Sequence, residues 1–324
     1  MTPAAIDSGN TAWLLVSAAL VLLMTAGLGF FYGGLVRAKS ALNMIMMSFL
    51  AIGVVTVVWV LGGYSLAFAG GRNPLVGDLS EVGLGGLLQT HHGTVPELAW
   101  AAFQLMFAII AVALVSGAVA ERVKPGAWVG FVAAWTTLCY VPVAHWVFDA
   151  DGWIVDRLGA LDFAGGTAVH INAGAAALAL ALVVGRRVGW GDEPMRPHNI
   201  PLVLLGAGLL WFGWFGFNAG SALAADGLAA LALVNTQVAA AAAVLGWSVT
   251  ERVRDGHVTT VGAASGAVAG LVAITPAAGS ITPAAAVGLG ATAGVVCALA
   301  VGLTYRWGFD DSLDVVGVHL VGGM

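Results

Sequence analysis

Charged residues divide this chain into long apolar stretches, and these stretches constrain the fold more than any other feature. An apolar helix needs about 20 residues to cross a bilayer. The stretch from Asp255 to Arg306 is long enough for two helices, and Thr275-Pro276 and Thr282-Pro283 mark the break between them. Seven further stretches without Asp, Glu, Lys or Arg can each cross once: Asp7 to Arg37, Lys39 to Arg72, Glu97 to Glu121, Lys124 to Asp149, Asp162 to Arg186, Arg196 to Asp226, and Asp226 to Glu251. The sequence therefore predicts nine complete spans.

The composition indicates the same class of protein. Hydrophobic residues make up 60% of the chain and charged residues only 9%, which is typical of an all-α polytopic membrane protein. A tenth span begins after Asp314 but meets Met324 at about half the length that a crossing requires. We expect a chain that stops there to end inside the bilayer and to assemble poorly without downstream sequence.

The basic residues predict the orientation of these spans. With the N-terminus outside, only Arg72 and Arg157 fall in external loops. The other ten fall in cytoplasmic connections: Arg37, Lys39, Arg122, Lys124, Arg186, Arg187, Arg196, Arg252, Arg254 and Arg306. This bias predicts a multi-pass protein of the plasma (inner) membrane with its N-terminus outside. The N-terminal tail has no Lys or Arg, so we expect a retained first helix and not a cleaved signal peptide.

Two segments place a histidine eight residues after an aspartate. In DFAGGTAVHINAG the pair is Asp162 and His170, and in FDDSLDVVGVHLVGG it is Asp311 and His319. At about 1.5 Å per residue each ring lies about 12 Å deeper than its aspartate, near the middle of the bilayer. The recurrence predicts an inverted five-plus-five helix repeat within one domain, 1–324, with halves at about 11–185 and 199–324. Such a repeat would bring the two rings together, although depth alone does not fix lateral position.

Six segments in order along the chain resemble the ammonium transporter (Amt/Rh-type) family. They are YGGLVR (32–37), FQLMFAII (103–110), DFAGGTAVHINAG (162–174), WFGWFGFNAGSA (211–222), ITPAAG (274–279) and DVVGVH (314–319). The resemblance covers essentially the whole chain. It implies a homotrimer in which each subunit has its own pore. It also implies an eleventh span, absent here, so the chain resembles a family member truncated at its C-terminus.

The resemblance also implies roles for particular residues. The vestibule that binds the cation would be Phe107, Phe148, Phe217 and Ser221, with Phe107 and Phe217 forming a gate. The pore would hold His170 and His319, with Trp214 lining it. Asp162 would organise the vestibule without touching substrate. Ammonium or ammonia would be the substrate, methylammonium an analogue, and a PII-type cytoplasmic regulator a partner.

Each of these residues also has an ordinary structural interpretation. Phe107 and Phe217 are equally typical of a hydrophobic core, and Asp162 stands at a helix start, where a carboxylate stabilises free N–H groups. We therefore prefer the structural interpretation for Asp162. His145 is predicted to be an interhelical hydrogen-bond partner. The remaining histidines are predicted to lie solvated in loops: His91, His92, His198 and His257.

The site departs from the family pattern at the vestibule. Many members carry a Trp where this chain has Phe148, and a DAD sequence follows it in place of a glycine run. Trp146 or Trp153 could substitute in space, so the sequence leaves open which aromatic residue closes the vestibule.

Three classes of function stay open from the residues. The first is transport of ammonium, captured outside, deprotonated and passed through an apolar pore. The second is an ammonium sensor that signals to a cytoplasmic partner, and the third is a haem-bearing redox protein held by the histidine pair. No GxxxxGK[ST] motif is present, which argues against an ATP-driven pump. We expect no enzyme activity, no cofactor or metal and no nucleic-acid partner, and the two cysteines are predicted to be packing residues.

Overall fold

The computed structural model describes residues 5–71 and 73–324, and the chain is a nearly all-helical, multi-pass membrane protein. Arg72 and the first four residues, on which part of the orientation prediction depends, lie outside the described residues. Within them, nine helices are long and apolar enough to cross a membrane: α1 (Ser8–Leu35), α2 (Ala38–Phe68), α3 (Glu97–Val119), α4 (Pro125–Phe148), α5 (Gly166–Val184), α6 (Ile200–Gly220), α7 (Gly227–Asp255), α8 (Thr260–Ala277) and α9 (Pro283–Trp307). The nine predicted spans are confirmed, in the predicted order.

Shorter elements connect or follow these spans. A 3₁₀ segment, Val82–Gln89, precedes two short antiparallel strands, β1 (His91–His92) and β2 (Val95–Pro96). A short helix, Trp153–Leu158, lies between α4 and α5. The last helix, α10, consists of the π-helical turn Val316–Leu320 and the α-helical turn Val321–Gly323.

Glycines allow α1 and α6 to cross at close range. A Cβ on Gly206 would collide with the backbone N of Phe31 and lie 2.6 Å from the Gly27 carbonyl oxygen. A glycine also allows close packing between α7 and α9, where a Cβ on Gly294 would lie 2.8 Å from Trp247 N. Helices in lipid gain no hydrophobic energy by associating, so small residues that let backbones pack closely supply much of the attraction.

The amino end of α5 is held by one aspartate side chain. Asp162 Oδ1 accepts from Gly165 N (2.8 Å) and Gly166 N (2.6 Å), and Oδ2 accepts from Thr167 N (2.7 Å) and Ala168 N (3.3 Å). A helix end leaves such N–H groups without intrahelical partners, and this cap satisfies four of them. Gly165 adopts φ +108°, a conformation that side-chain-bearing residues rarely reach. Burial raises the pKa of Asp162, and the four N–H bonds oppose that rise.

The amino end of α10 is held in a similar way. Asp311 Oδ2 accepts from Val316 N at 2.6 Å, and the residue is buried. The loop before α10 is tied to the ends of α3 and α5, because Arg187 binds the carboxylate of Asp310 through Nε (2.9 Å) and Nη2 (2.8 Å). Arg122 donates to Asp310 O at 2.9 Å and to Ser312 Oγ at 2.7 Å. These contacts fix where α10 enters the helix bundle.

Four π-helical turns interrupt the spans, and two of them carry the histidines. They lie at Trp59–Gly63 in α2, Thr136–Tyr140 in α4, Gly166–Ile171 in α5 and Val316–Leu320 in α10. His170 and His319 are therefore both on wide turns directly after a capped helix start. Such turns are often found at functional sites because they reorient one side chain without ending the helix.

Substitution of Gly206 tests the close crossing of α1 and α6. We expect Gly206→Val to lower the thermal unfolding midpoint in detergent, because overpacking costs about 1–3 kcal/mol. Gly208→Val is the matched control on the same helix, since a Cβ there meets no atom within 4 Å. Equal midpoints for the two variants, measured by fluorescence-detected size-exclusion chromatography after heating, would contradict the proposed packing role.

Replacing the α5 cap tests its contribution to stability. Asp162→Asn leaves one acceptor oxygen and turns an NH₂ group towards two backbone N–H groups. We therefore expect the free energy of unfolding to fall by about 1–3 kcal/mol. The control is Asp226→Asn, because Asp226 caps α7 through Oδ1 alone, which accepts from Leu228 N and Ala229 N. Asparagine preserves that oxygen. The cap is not needed for stability if Asp162→Asn melts at the same temperature as Asp226→Asn.

Candidate functional site

The two repeated histidines meet inside the helix bundle. Nδ1 of His319 lies 3.3 Å from Nδ1 of His170, and the ring centroids are 5.3 Å apart. Both side chains are buried, with 1% of His170 and 4% of His319 exposed. A hydrogen bond between two Nδ1 atoms needs a proton on only one of them. One ring then offers a lone pair at Nε2 and the other offers an N–H there. Among the described residues, His170 Nε2 has no partner.

A glycine on α5 lets α10 approach closely enough for this contact. A Cβ on Gly174 would collide with the Leu320 N and lie 2.6 Å from the Leu320 Cα. A glycine on α10 contributes to the same contact, because a Cβ on Gly323 would lie 3.1 Å from Ile171 Cγ1 and 3.3 Å from His170 Cβ. The distance between the two rings is therefore set by backbone-to-backbone packing of the helices that carry them.

Trp214 fixes the ring of His170. The two rings stack with centroids 5.3 Å apart at 21°, and Trp214 is buried. Its indole Nε1 donates to Thr275 Oγ1 at 2.9 Å, and that hydroxyl donates to Leu271 O at 2.8 Å. The indole N–H is thus satisfied by α8, which leaves its face for the imidazole.

Phe107 and Phe217 form a stacked pair next to the histidines. Their centroids are 4.2 Å apart at 16°, and both side chains are almost fully buried. Phe217 also lies 6.0 Å from His170. The pair therefore lies between the histidines and the cavity that Phe107 lines.

That cavity, named the outer cavity after the predicted orientation of the spans, has a volume of about 140 Å³. Its lining includes three of the four predicted vestibule residues, Phe107, Phe148 and Ser221, whereas Phe217 lies behind Phe107. The hydroxyl of Ser221 donates to Phe217 O at 2.8 Å, so its oxygen keeps lone pairs for another donor. The remaining lining residues are His92, Trp100, Phe103, Gln104, Phe163 and Leu223.

Sequence reasoning did not single out Trp100, Phe103 or Gln104 as cavity residues. These three precede Phe107 by seven, four and three positions, so all four lie on one face of α3. Helical periodicity applied to Phe107 could have found them. Trp146 and Trp153, considered as substitutes for a vestibule Trp, are 5.8 Å from each other and absent from the cavity lining. Trp100 supplies the indole of this cavity.

A second, inner cavity of about 40 Å³ lies on the far side of the histidines. His319, Tyr32, Ser265 and Asp314 are among its lining residues, with Phe31, Leu35, Val261, Val268, Leu313 and Val318. Burial raises the pKa of Asp314 to about 8, and the neighbouring Asp311 adds to that rise. Burial also raises the pKa of Asp311 to about 6.

Apart from His92, the other histidines line neither cavity and do not contact the histidine pair. His145 is 2.7 Å from both Ala67 O and Asn73 O, so its ring links α4 to the end of α2 and the loop that follows. His198 is bonded to Val36 O at 2.9 Å and His257 to Asp255 O at 3.1 Å.

In the part of the chain that the structure describes, no group of three His, Cys, Asp or Glu side chains could hold a metal. The direct contact of His170 with His319 leaves no room for a haem plane between them, which argues against the haem interpretation.

The chain matches known proteins over nearly its whole length. A model of the Ammonium Transporter Family matches residues 12–324. An ammonium transporter of Mycobacterium tuberculosis (strain H37Rv) is 59% identical over 343 residues, covering 98% of this chain and 72% of that protein.

Solved structures agree with the sequence matches. The crystal structure of Candida albicans Mep2 superposes with a TM-score of 0.93 at 38% identity, covering 98% of this chain and 71% of Mep2. A structure described as a sensor Amt protein gives a TM-score of 0.92 at 29% identity, covering 97% of this chain and 80% of that one. The chain thus belongs to the Ammonium Transporter Family, whose members are transporters and not enzymes.

Proposed function

We propose that this chain conducts ammonium across the membrane by capturing the cation, removing its proton and passing ammonia along the Nε2 atoms of the two histidines. One observation carries the proposal: a continuous line of side chains joins the two cavities. Phe107 lines the outer cavity and stacks on Phe217, Phe217 contacts His170, His170 meets His319, and His319 lines the inner cavity.

Capture is the first step. The outer cavity presents the rings of Phe107 and Phe148, whose centroids are 6.3 Å apart at 89°, and the free lone pairs of Ser221. An aromatic face attracts a cation by about 0.5–2 kcal/mol, depending on how far water is excluded. A hydroxyl oxygen accepts one N–H bond of the ammonium ion. Potassium fits the aromatic faces nearly as well, so selectivity arises deeper in the pore.

Loss of the proton is the selective step. Beyond the Phe107–Phe217 pair the described path is buried and uncharged, and an ion that keeps its charge there faces a large desolvation cost. Ammonium can transfer a proton to water in the outer cavity, leaving a hydronium ion outside, and continue as small neutral ammonia, whereas potassium has no proton to lose. Opening the path requires the stacked phenylalanine rings to move apart for a passing molecule.

The histidine pair guides the neutral molecule. With one proton shared between the Nδ1 atoms, one Nε2 accepts an N–H bond from ammonia and the other donates to the ammonia lone pair. The unpartnered Nε2 of His170 supports this role, because a buried polar atom without a partner carries a cost of about 1–3 kcal/mol that a passing ligand relieves.

The finer features of the assembly belong to the same proposal. Each pore lies within one subunit of a homotrimer in the plasma (inner) membrane, with the N-terminus and the outer cavity outside. The halves of the inverted repeat are 11–185 and 199–324, methylammonium is a transported analogue, and a PII-type protein is the cytoplasmic regulator. Signalling is the second candidate function, and the likeness to the sensor Amt protein favours it. Ammonium flux through liposomes reconstituted with the protein separates transport from signalling.

Substitution of His170 tests the selective step. We expect His170→Asp to admit potassium, because a carboxylate offsets part of the desolvation cost that excludes the ion. His170→Leu should lower ammonium flux by about fivefold, because the lost hydrogen bond between Nε2 and ammonia, about 1 kcal/mol, raises the barrier. Potassium should stay excluded in that variant. Both fluxes are measured in the same proteoliposomes. Unchanged ammonium flux in His170→Leu, with potassium still excluded by folded His170→Asp, would make both imidazoles structural.

Substitution of Phe148 tests the capture step. We expect Phe148→Trp to lower the apparent KM for methylammonium by about two- to fivefold, because indole offers the stronger cation–π face, with a gain of about 0.5–1 kcal/mol. Phe148→Ala should raise the apparent KM by a similar factor. The maximal rate should change little in either variant. A methylammonium KM that is the same in wild type and both variants removes Phe148 from the binding site.

A further inference from the structure

The outer cavity has a titratable residue on its rim. His92 belongs to β1, and its ring stacks on Trp100 of α3 with centroids 4.2 Å apart at an angle of 6°. Both residues line the cavity together with Phe107, Phe148 and Ser221. The side chain of His92 is 42% exposed, so it reaches both solvent and the cavity. The sequence predicts that this histidine is solvated in a loop, but its side chain also lines the cavity.

A carboxylate orients the imidazole of His92. Its Nδ1 lies 3.7 Å from Glu97 Oε1, and the hydroxyl of Tyr64 donates to the same oxygen at 2.8 Å. A carboxylate accepts and does not donate, so it favours the tautomer with the proton on Nδ1. In the neutral ring, Nε2 then keeps its lone pair. An acceptor of this kind is what an ammonium N–H group binds.

The neighbouring histidine does not share these surroundings. His91 bonds through Nδ1 to Gly93 O at 3.1 Å within its own hairpin, is exposed, and is absent from the cavity lining. The two residues are adjacent, carry the same charge and belong to the same strand. His91 is therefore a control for any effect of charge or of the hairpin in general.

We propose that His92 is a cation-binding residue of the outer cavity, which accepts an N–H bond from ammonium when neutral and weakens capture when protonated. This inference rests on the proposed function and names a further group of its capture site. Protonation removes the Nε2 lone pair and adds a positive charge beside the aromatic faces of Phe107 and Phe148. Both changes act in the same direction.

The charged groups around His92 determine how strong this effect is. Glu97 on α3 faces the ring directly, Tyr64 on α2 is bonded to Glu97, and His91 is its neighbour on β1. Glu81 and Asp149 lie further out and act electrostatically on Tyr64. Strand β2 contributes Val95 and Pro96, neither of which titrates. Glu97 attracts the imidazolium, but the cavity that His92 lines still gains a positive charge. Capture is therefore stronger when His92 is neutral than when it is protonated, so it weakens as pH falls.

The experiment measures the apparent KM for methylammonium in proteoliposomes at pH 7.5 and pH 5.5. Histidine side chains ordinarily change charge between about pH 5 and 8, whereas an alkylammonium ion stays protonated throughout. We expect the wild-type KM to rise about fivefold at the lower pH. This is the effect of repulsion between the ligand and one added positive charge at a partly exposed site. His91→Phe should behave as wild type. His92→Phe, which keeps the ring stacked on Trp100, should raise the KM at pH 7.5 by about threefold, because it loses an acceptor, and should abolish the pH response.

A second variant keeps the test decisive if the phenylalanine disturbs the hairpin. His92→Gln retains an acceptor that does not titrate, so we expect a KM near the wild-type value at pH 7.5 and no rise at pH 5.5. The inference is overturned if His92→Gln keeps the wild-type pH response, or if His91→Phe loses it equally. Either result leaves the proposed function intact as long as the wild type transports methylammonium. Absence of saturable flux in the wild type would overturn both.

Discussion

The position of the histidine pair depends on two aspartates that replace water at the starts of two buried helices. A helix that begins in an apolar layer exposes N–H groups that no solvent can bind, and each unsatisfied group costs several kcal/mol. Asp162 satisfies four such groups at the start of α5, and Asp311 accepts from one, Val316 N, at the start of α10. Because both helices start at these fixed points, their first turns deliver His170 and His319 to a common position.

Much of this could be predicted because bilayer physics leaves few choices. Eight apolar stretches between charges, one of them long enough for two helices, had to become nine spans, and the eight-residue separation of aspartate and histidine fixed the depth of both rings. The lateral meeting of the rings could not be counted from the sequence, since it depends on glycines whose partners lie on other helices. The π-helical turns at Gly166–Ile171 and Val316–Leu320 were equally invisible, because no local residue pattern distinguishes them from ordinary helix.

The candidate site shows where sequence reasoning stops. A resemblance to known motifs identified Phe107, Phe148 and Ser221, and helical periodicity could have added Trp100 and Gln104 from the same face of α3. His92 was beyond both methods. It reaches the cavity through a hairpin at the end of a long loop, and a loop carries no periodicity from which a side chain's direction could be inferred.

Gly174 has a consequence for how the histidine pair responds to substitution. Its missing side chain lets the backbone of α10 lie against α5, and this contact, rather than the imidazoles themselves, sets the distance between the rings. A single added methyl group at residue 174 would push α10 away from α5, whereas trimming a ring would leave the helices where they are. Enlarging this one small residue would therefore part the two imidazoles, so their contact depends on an atom that is absent from a neighbouring residue.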